Sequence, residues 1–114
     1  MIAQVRPADL PAWFQAQAAG DRPAVVLDVR EPWELQTASV KADGFELVVI
    51  PMNEIPARFA ELDAARPVAC LCHHGTRGQR VASFLSQRGF AQVANIAGGI
   101  EAWACECDPT VPRY

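Results

Sequence analysis

An α/β fold, with a mainly parallel sheet and helices on both faces, follows from three observations in this sequence. Short continuous apolar runs over residues 24–29, 46–50 and 67–71 read as strands buried on both faces. Between them lie segments whose apolar residues recur at i, i+3 and i+4, the period of a helix. At 114 residues the chain has room for one domain and one core, not two. Strands alternating with helices imply right-handed crossovers, and in such sheets ligands sit beyond the carboxyl ends of the strands.

The elements follow in order. Residues 8–18 read as a helix, with Asp9 near its start, Leu10, Trp13 and Phe14 on one face and Gly20 past its end. The valine-rich run 24–29 is a strand, and Glu31 to Thr37 a short helix with Pro32 in its first turn. Residues 46–50 form a second buried strand stopped by Pro51. Residues 55–62 form a helix with Ile55, Phe59 and Leu62 inward. The central strand 67–71 leads through a polar loop into a helix over 79–88, ended by Gly89. A short strand at 92–95 and a helical turn or two at 99–103 complete the pattern. Residues 105–114 read as an extended C-terminal tail. Pro109 and Pro112 keep it from being helical, so it either packs along the surface or hangs free. Trp33 and Trp103 are expected to pack in the core or at its rim.

Composition narrows the function classes. Net charge is −3 and the pI near 5.3, which argues against nucleic acid or an anionic membrane as partner. No apolar run approaches the roughly 20 residues that span a bilayer. The N-terminus shows no basic head and apolar stretch, so a cytoplasmic, reducing setting with free thiols is the default.

The stretch from Pro67 to Gly78, Pro-Val-Ala-Cys-Leu-Cys-His-His-Gly-Thr-Arg-Gly, carries the chemistry. It delivers Cys72 from a strand into a glycine-containing loop ahead of a helix. Unpaired N–H groups and the helix dipole favour an anion there. A cysteine reacts as its thiolate, and a helix N-terminus with a nearby cation lowers the thiol's pKa. Arg77 supplies such a charge. Gly75 and Gly78 allow the backbone to turn its N–H groups toward one point. Cys70, inside the apolar run, reads instead as a small buried hydrophobe. His73 and His74 are either solvated loop residues or groups that steer anions and tune the thiol.

Cys72 to Gly78, Cys-His-His-Gly-Thr-Arg-Gly, resembles the Cys-x-x-Gly-x-Arg-Ser loop of single-domain rhodanese-like sulfurtransferases. Leu27 to Glu34 is similar to that family's Asp-Val-Arg motif, and Ile96 to Trp103 to its Gly-Gly-x-x-x-Trp motif. The three stand in the family's order. Gly78 departs from the usual Ser or Thr, and residues 38–50 lack the usual Gly-His-Ile-x-Gly-Ala stretch. The resemblance implies a five-stranded rhodanese-like sheet in a single domain over 1–114. It implies Cys72 as nucleophile, His73, His74, Gly75, Thr76, Arg77 and Gly78 as the substrate-binding loop, and Asp28 and Arg30 as its support. The activity it implies is transfer of a sulfane sulfur through a Cys72 persulfide. The donor would be thiosulfate, another small sulfur-containing anion or a protein persulfide, and the acceptor a thiol or sulfur carrier. No cofactor is called for.

Other readings compete with this one. A cysteine phosphatase also runs from Cys to Arg, but with five intervening residues that suit a tetrahedral phosphate; here His73, His74, Gly75 and Thr76 intervene. A non-catalytic binding module is the third option, since a fold does not fix a function. The Cys-x-Cys pairs at 70/72 and 105/107 raise zinc, but common zinc turns are Cys-x-x-Cys and no metal is expected. A redox bridge from Cys72 to a tail cysteine is a further possibility.

Overall fold

A computed structural model describes residues 2–17 and 23–114. Its sheet has five parallel strands: β1 (Ala3–Val5), β2 (Val25–Asp28), β3 (Glu46–Val49), β4 (Val68–Leu71) and β5 (Val93–Ile96). They lie in the order β1-β5-β4-β2-β3. The helices are α1 (Leu10–Ala16), α2 (Pro32–Thr37), α3 (Ile55–Arg58), α4 (Thr76–Gln87) and α5 (Gly99–Glu106), with 3-10 turns before α1 and on both sides of α3. The helix end expected at Ala18 and its stop at Gly20 lie outside the described residues.

β2, β4 and β5 are buried at every position, which explains their unbroken apolar runs. Alternate side chains feed two cores. Val26, Ala69, Leu71 and Ile96 pack with Leu10, Ile100 and Trp103 from α1 and α5. Val25, Leu27, Val68 and Cys70 pack with Ile55, Val81 and Leu85 from α3 and α4. Each fully buried aliphatic side chain is worth about 1.5–3 kcal/mol. Among the described residues no helix is long and apolar enough to cross a membrane.

Four differences from the sequence expectation have physical causes. β1 carries only one buried residue, Val5, and exists by pairing Ala3, Gln4 and Val5 with Ala94, Asn95 and Ile96, so it leaves no periodic signal. β3 is an edge strand and only partly buried, not an interior one. α4 begins at Thr76, three residues earlier than its apolar face suggests, so Arg77 and Gly78 belong to the helix's first turn. α5 runs through Cys105 to Glu106, which shortens the non-helical tail to residues 107–114.

Candidate active site

The carboxyl ends of β2, β4 and β5 converge on one edge of the sheet, and β4 delivers Cys72 there. Its thiol is 1% exposed, and its Sγ accepts a hydrogen bond from the Gly75 N–H at 3.0 Å. Gly75 makes this possible with φ +114°, a backbone state that L side chains rarely adopt, and from there it caps α4. The sulfur thus lies against the N-terminus of a helix, where the dipole favours negative charge. Cys70 points to the same side of the sheet but is sealed in the core, where burial pushes its thiol pKa well up.

Helix α5 holds the loop from behind. The Ile100 N–H donates to the Cys72 carbonyl at 2.8 Å, and the Glu101 N–H to the His73 carbonyl at 3.2 Å. This approach is so close that a Cβ on Gly99 would stand 2.4 Å from the Cys72 oxygen and 2.5 Å from that of His73. Gly99 is therefore a docking requirement of the loop.

Two acid–arginine pairs flank the site. Asp28 and Arg30 bond each other through two side-chain contacts at 2.9 and 2.7 Å, and both are buried. Arg30 also donates to the Ala38 carbonyl at 2.9 Å, which ties the end of α2 to β2. Burial lowers the Arg30 pKa, but its bonds to Asp28 and Tyr114 outweigh that and leave it raised.

Arg77 donates through both terminal nitrogens to Glu34, at 2.6 and 2.8 Å. The two Glu34 oxygens also accept from the Glu31 N–H at 3.1 Å and the Tyr114 hydroxyl at 2.7 Å. The Arg77 bonds, with help from Tyr114 and Glu31, hold the Glu34 carboxyl at about 2 despite its burial. Arg77 in turn is raised, chiefly by Glu34, and lies within electrostatic reach of Cys72.

Glu34 and Tyr114 are the site residues that sequence reasoning missed. The Glu31–Glu34 spacing after Arg30 marks a capping box, which α2 does form, but it gives no hint of a partner at 77. Of the loop residues, His74 and Thr76 are exposed, and His73 is stacked between the His74 and Tyr114 rings, with centroids 3.9 and 3.8 Å away. Trp103 packs edge-on to Phe45 in the core, whereas Trp33 is 63% exposed, against the expectation of packing. Among the described residues no three His, Cys, Asp or Glu side chains gather closely enough to hold a metal ion.

The sequence model of the rhodanese-like domain matches residues 10–106. The chain belongs to the rhodanese-like domain family. It is 37% identical over 95 residues to the chloroplastic rhodanese-like/PpiC domain-containing protein 12 of Arabidopsis thaliana, covering 80% of this chain but only 30% of that protein. Identity to the thiosulfate sulfurtransferase GlpE of Pseudomonas syringae is 32% over 89 residues, covering 78% and 80% of the two chains. The crystal structure of a rhodanese-related protein from Thermoplasma volcanium superposes with a TM-score of 0.76 at 31% identity, over 98% and 99% of the two chains.

Both departures from the rhodanese-like pattern have structural counterparts. At Gly78, where the family usually has a hydroxyl residue, a Cβ would lie 2.5 Å from Asn95 Oδ1 and 3.1 Å from the Cys70 carbonyl. Asn95 occupies the room that a side chain at 78 would need. In the altered stretch before β3, buried Val40 and the Phe45 ring against Trp103 anchor the chain to the core.

Proposed function

We propose that this protein is a sulfurtransferase that carries a sulfane sulfur on Cys72. The observation that carries the reading is the thiol at the end of β4, bonded to the Gly75 N–H at the mouth of a 12-residue helix. The sulfurtransferase name of the Pseudomonas relative supports it. The Cys72 thiolate attacks the outer sulfur of thiosulfate, the sulfur–sulfur bond of the donor breaks, and sulfite leaves with the electron pair. A nucleophilic acceptor then attacks the outer sulfur of the Cys72 persulfide, and the Cys72–sulfur bond breaks to restore the thiolate. Cyanide serves as acceptor in an assay; a thiol or sulfur carrier serves in the cell. The helix N-terminus and the Gly75 N–H stabilise the anionic sulfur in both steps. Two half-reactions through one covalent intermediate give ping-pong kinetics.

Arg77 acts in this scheme as the clamp that joins the loop to α2, with its charge within electrostatic reach of the sulfur. That arrangement disfavours a phosphatase, which needs the guanidinium on its phosphate, whereas here both terminal nitrogens lie on Glu34. All four cysteines are free, which suits a reducing compartment such as the cytoplasm.

Incubation with thiosulfate, followed by intact mass measurement, should show one added sulfur that cyanide removes. Cys72→Ser should lose it and reduce thiosulfate:cyanide turnover by about 10²-fold or more, while Cys70→Ser keeps most of the activity. Turnover that survives Cys72→Ser would overturn the reading.

A further inference from the structure

Asn95 is an amide on an otherwise apolar sheet face. It stands two residues after Val93 and so points to the same side of the sheet, toward α3 and α4, beside its register partner Cys70. Cys70 and Cys72 belong to that core as well. Asn95 is 4% exposed, and its Oδ1 is buried with no hydrogen-bond partner among the described residues. An apolar residue here would spare the cost of burying that oxygen unpaired.

What an apolar residue would lose is a tether. The Asn95 Nδ2 donates to Gln4 Oε1 at 2.9 Å, and Gln4 Nε2 donates to Gln79 Oε1 on α4. The Gln79 N–H donates in turn to the Gly75 carbonyl at 3.0 Å. Three amide side chains thus run from β5 through β1 to the first turn of α4. The Asn95 carboxamide also meets that turn directly. A Cβ on Gly75 would stand 3.6 Å from its Nδ2, and one on Gly78 would stand 2.5 Å from its Oδ1. The side chain therefore lies against both glycines, one capping α4 and one inside its first turn. Gly75 is also the residue whose N–H bonds the Cys72 sulfur at 3.0 Å.

We propose that Asn95 is a positioning residue: tethered by Gln4, it fixes the distance between β5 and the first turn of α4 so that the Gly75 N–H stays on the Cys72 sulfur. It acts on the thiol through Gly75, and its bearing on sulfur transfer rests on the reading of Cys72 given above. Hydrogen bonds weaken steeply with angle and distance, and those to an anion are the strong ones. Without the carboxamide, the turn settles into the vacated space and Gly75 moves with it. The thiolate then loses its partner.

The test is the rate of Cys72 alkylation by iodoacetamide against pH in the full chain, with the modified residue located by mass spectrometry. Asn95→Ala should raise the midpoint of that profile by about one unit, the scale of one hydrogen bond to an anion. Gln4→Ala removes only the tether, from an exposed residue of β1, and should raise the midpoint by about half as much. Val93→Ala loosens the same core at the start of β5 and should lower the melting temperature while leaving the midpoint in place. Arg77 on α4 and Cys70 on β4 lie within electrostatic reach of the thiol, and every variant keeps both. A midpoint that does not rise in Gln4→Ala or in folded Asn95→Ala overturns the proposal, as does an equal rise in Val93→Ala. Should Asn95→Ala not fold, Gln4→Ala against Val93→Ala decides. Alkylation needs no sulfur transfer. Raised midpoints in a protein that takes no sulfur from thiosulfate would leave Asn95 in its role and remove the sulfurtransferase reading alone.

Discussion

The Asp28–Arg30 and Glu34–Arg77 pairs use the same chemistry six residues apart, yet they do different work. In the first, both side chains are buried and the partners are two residues apart on one strand end. In the second, a buried carboxylate reaches 43 residues along the chain to an arginine whose side chain is 29% exposed. The inner pair belongs to the framework, because both members are shut off from solvent and bond chiefly to each other. The outer pair is a clamp on the Cys72 loop, because it joins the first turn of α4 to α2. Ion pairs of equal length are thus not equal in role; burial and sequence separation decide.

Breaking the inner pair should have the larger effect. Asp28→Ala leaves Arg30 buried and uncompensated, which costs about 3–5 kcal/mol. Against the roughly 5–15 kcal/mol by which a domain is stable, that brings the protein close to unfolding. The urea midpoint followed by circular dichroism should fall sharply, and activity should fall with the folded fraction.

The outer pair should separate stability from activity. Glu34→Gln removes charge-assisted bonds worth about 1.5–3 kcal/mol, and the loosened loop should turn over thiosulfate about ten- to a hundredfold more slowly. A variant that loses stability but keeps its rate would move this pair into the framework class. Acidity sharpens the same contrast. The Glu34 carboxyl is lowered from 4.5 to about 2, so its contribution is complete above pH 4.5 and is lost as pH falls through about 2. That contribution is at most about 3 kcal/mol, and Glu34→Gln should flatten wild-type stability against pH between 4.5 and 2. The smallest effect belongs to a surface comparison. Arg58 pairs with Glu54 and Glu61 in the open, and Arg58→Ala should leave the melting temperature unchanged within error.

The sequence made local chemistry legible and left distant partners hidden. Continuous apolar runs located β2 and β4, and the strand–loop–helix pattern around Cys72 located a thiol at the N-terminus of α4. β1 escaped notice because its register comes from β5 and not from its own periodicity. The first turn of α4 escaped because Thr76, Arg77 and Gly78 carry no apolar side chain to mark a helix. Glu34 looked like an ordinary capping residue, and its second task appears only when the chain brings Arg77 across. Tyr114 lies 80 residues from Glu34 and sits among prolines and charges that read as a loose end.

The space around Gly78 carries a consequence for how this loop can change by descent. Asn95 fills the volume that a side chain at 78 would take, and its Nδ2 is tied to Gln4 at 2.9 Å. A serine placed at 78 therefore meets a neighbour already in residence, with the Cys70 carbonyl close behind. Positions 78 and 95 are therefore coupled: a side chain at 78 requires Asn95 to move or to be replaced. The one oxygen missing from the loop thus leaves room that a side chain on β5 takes up.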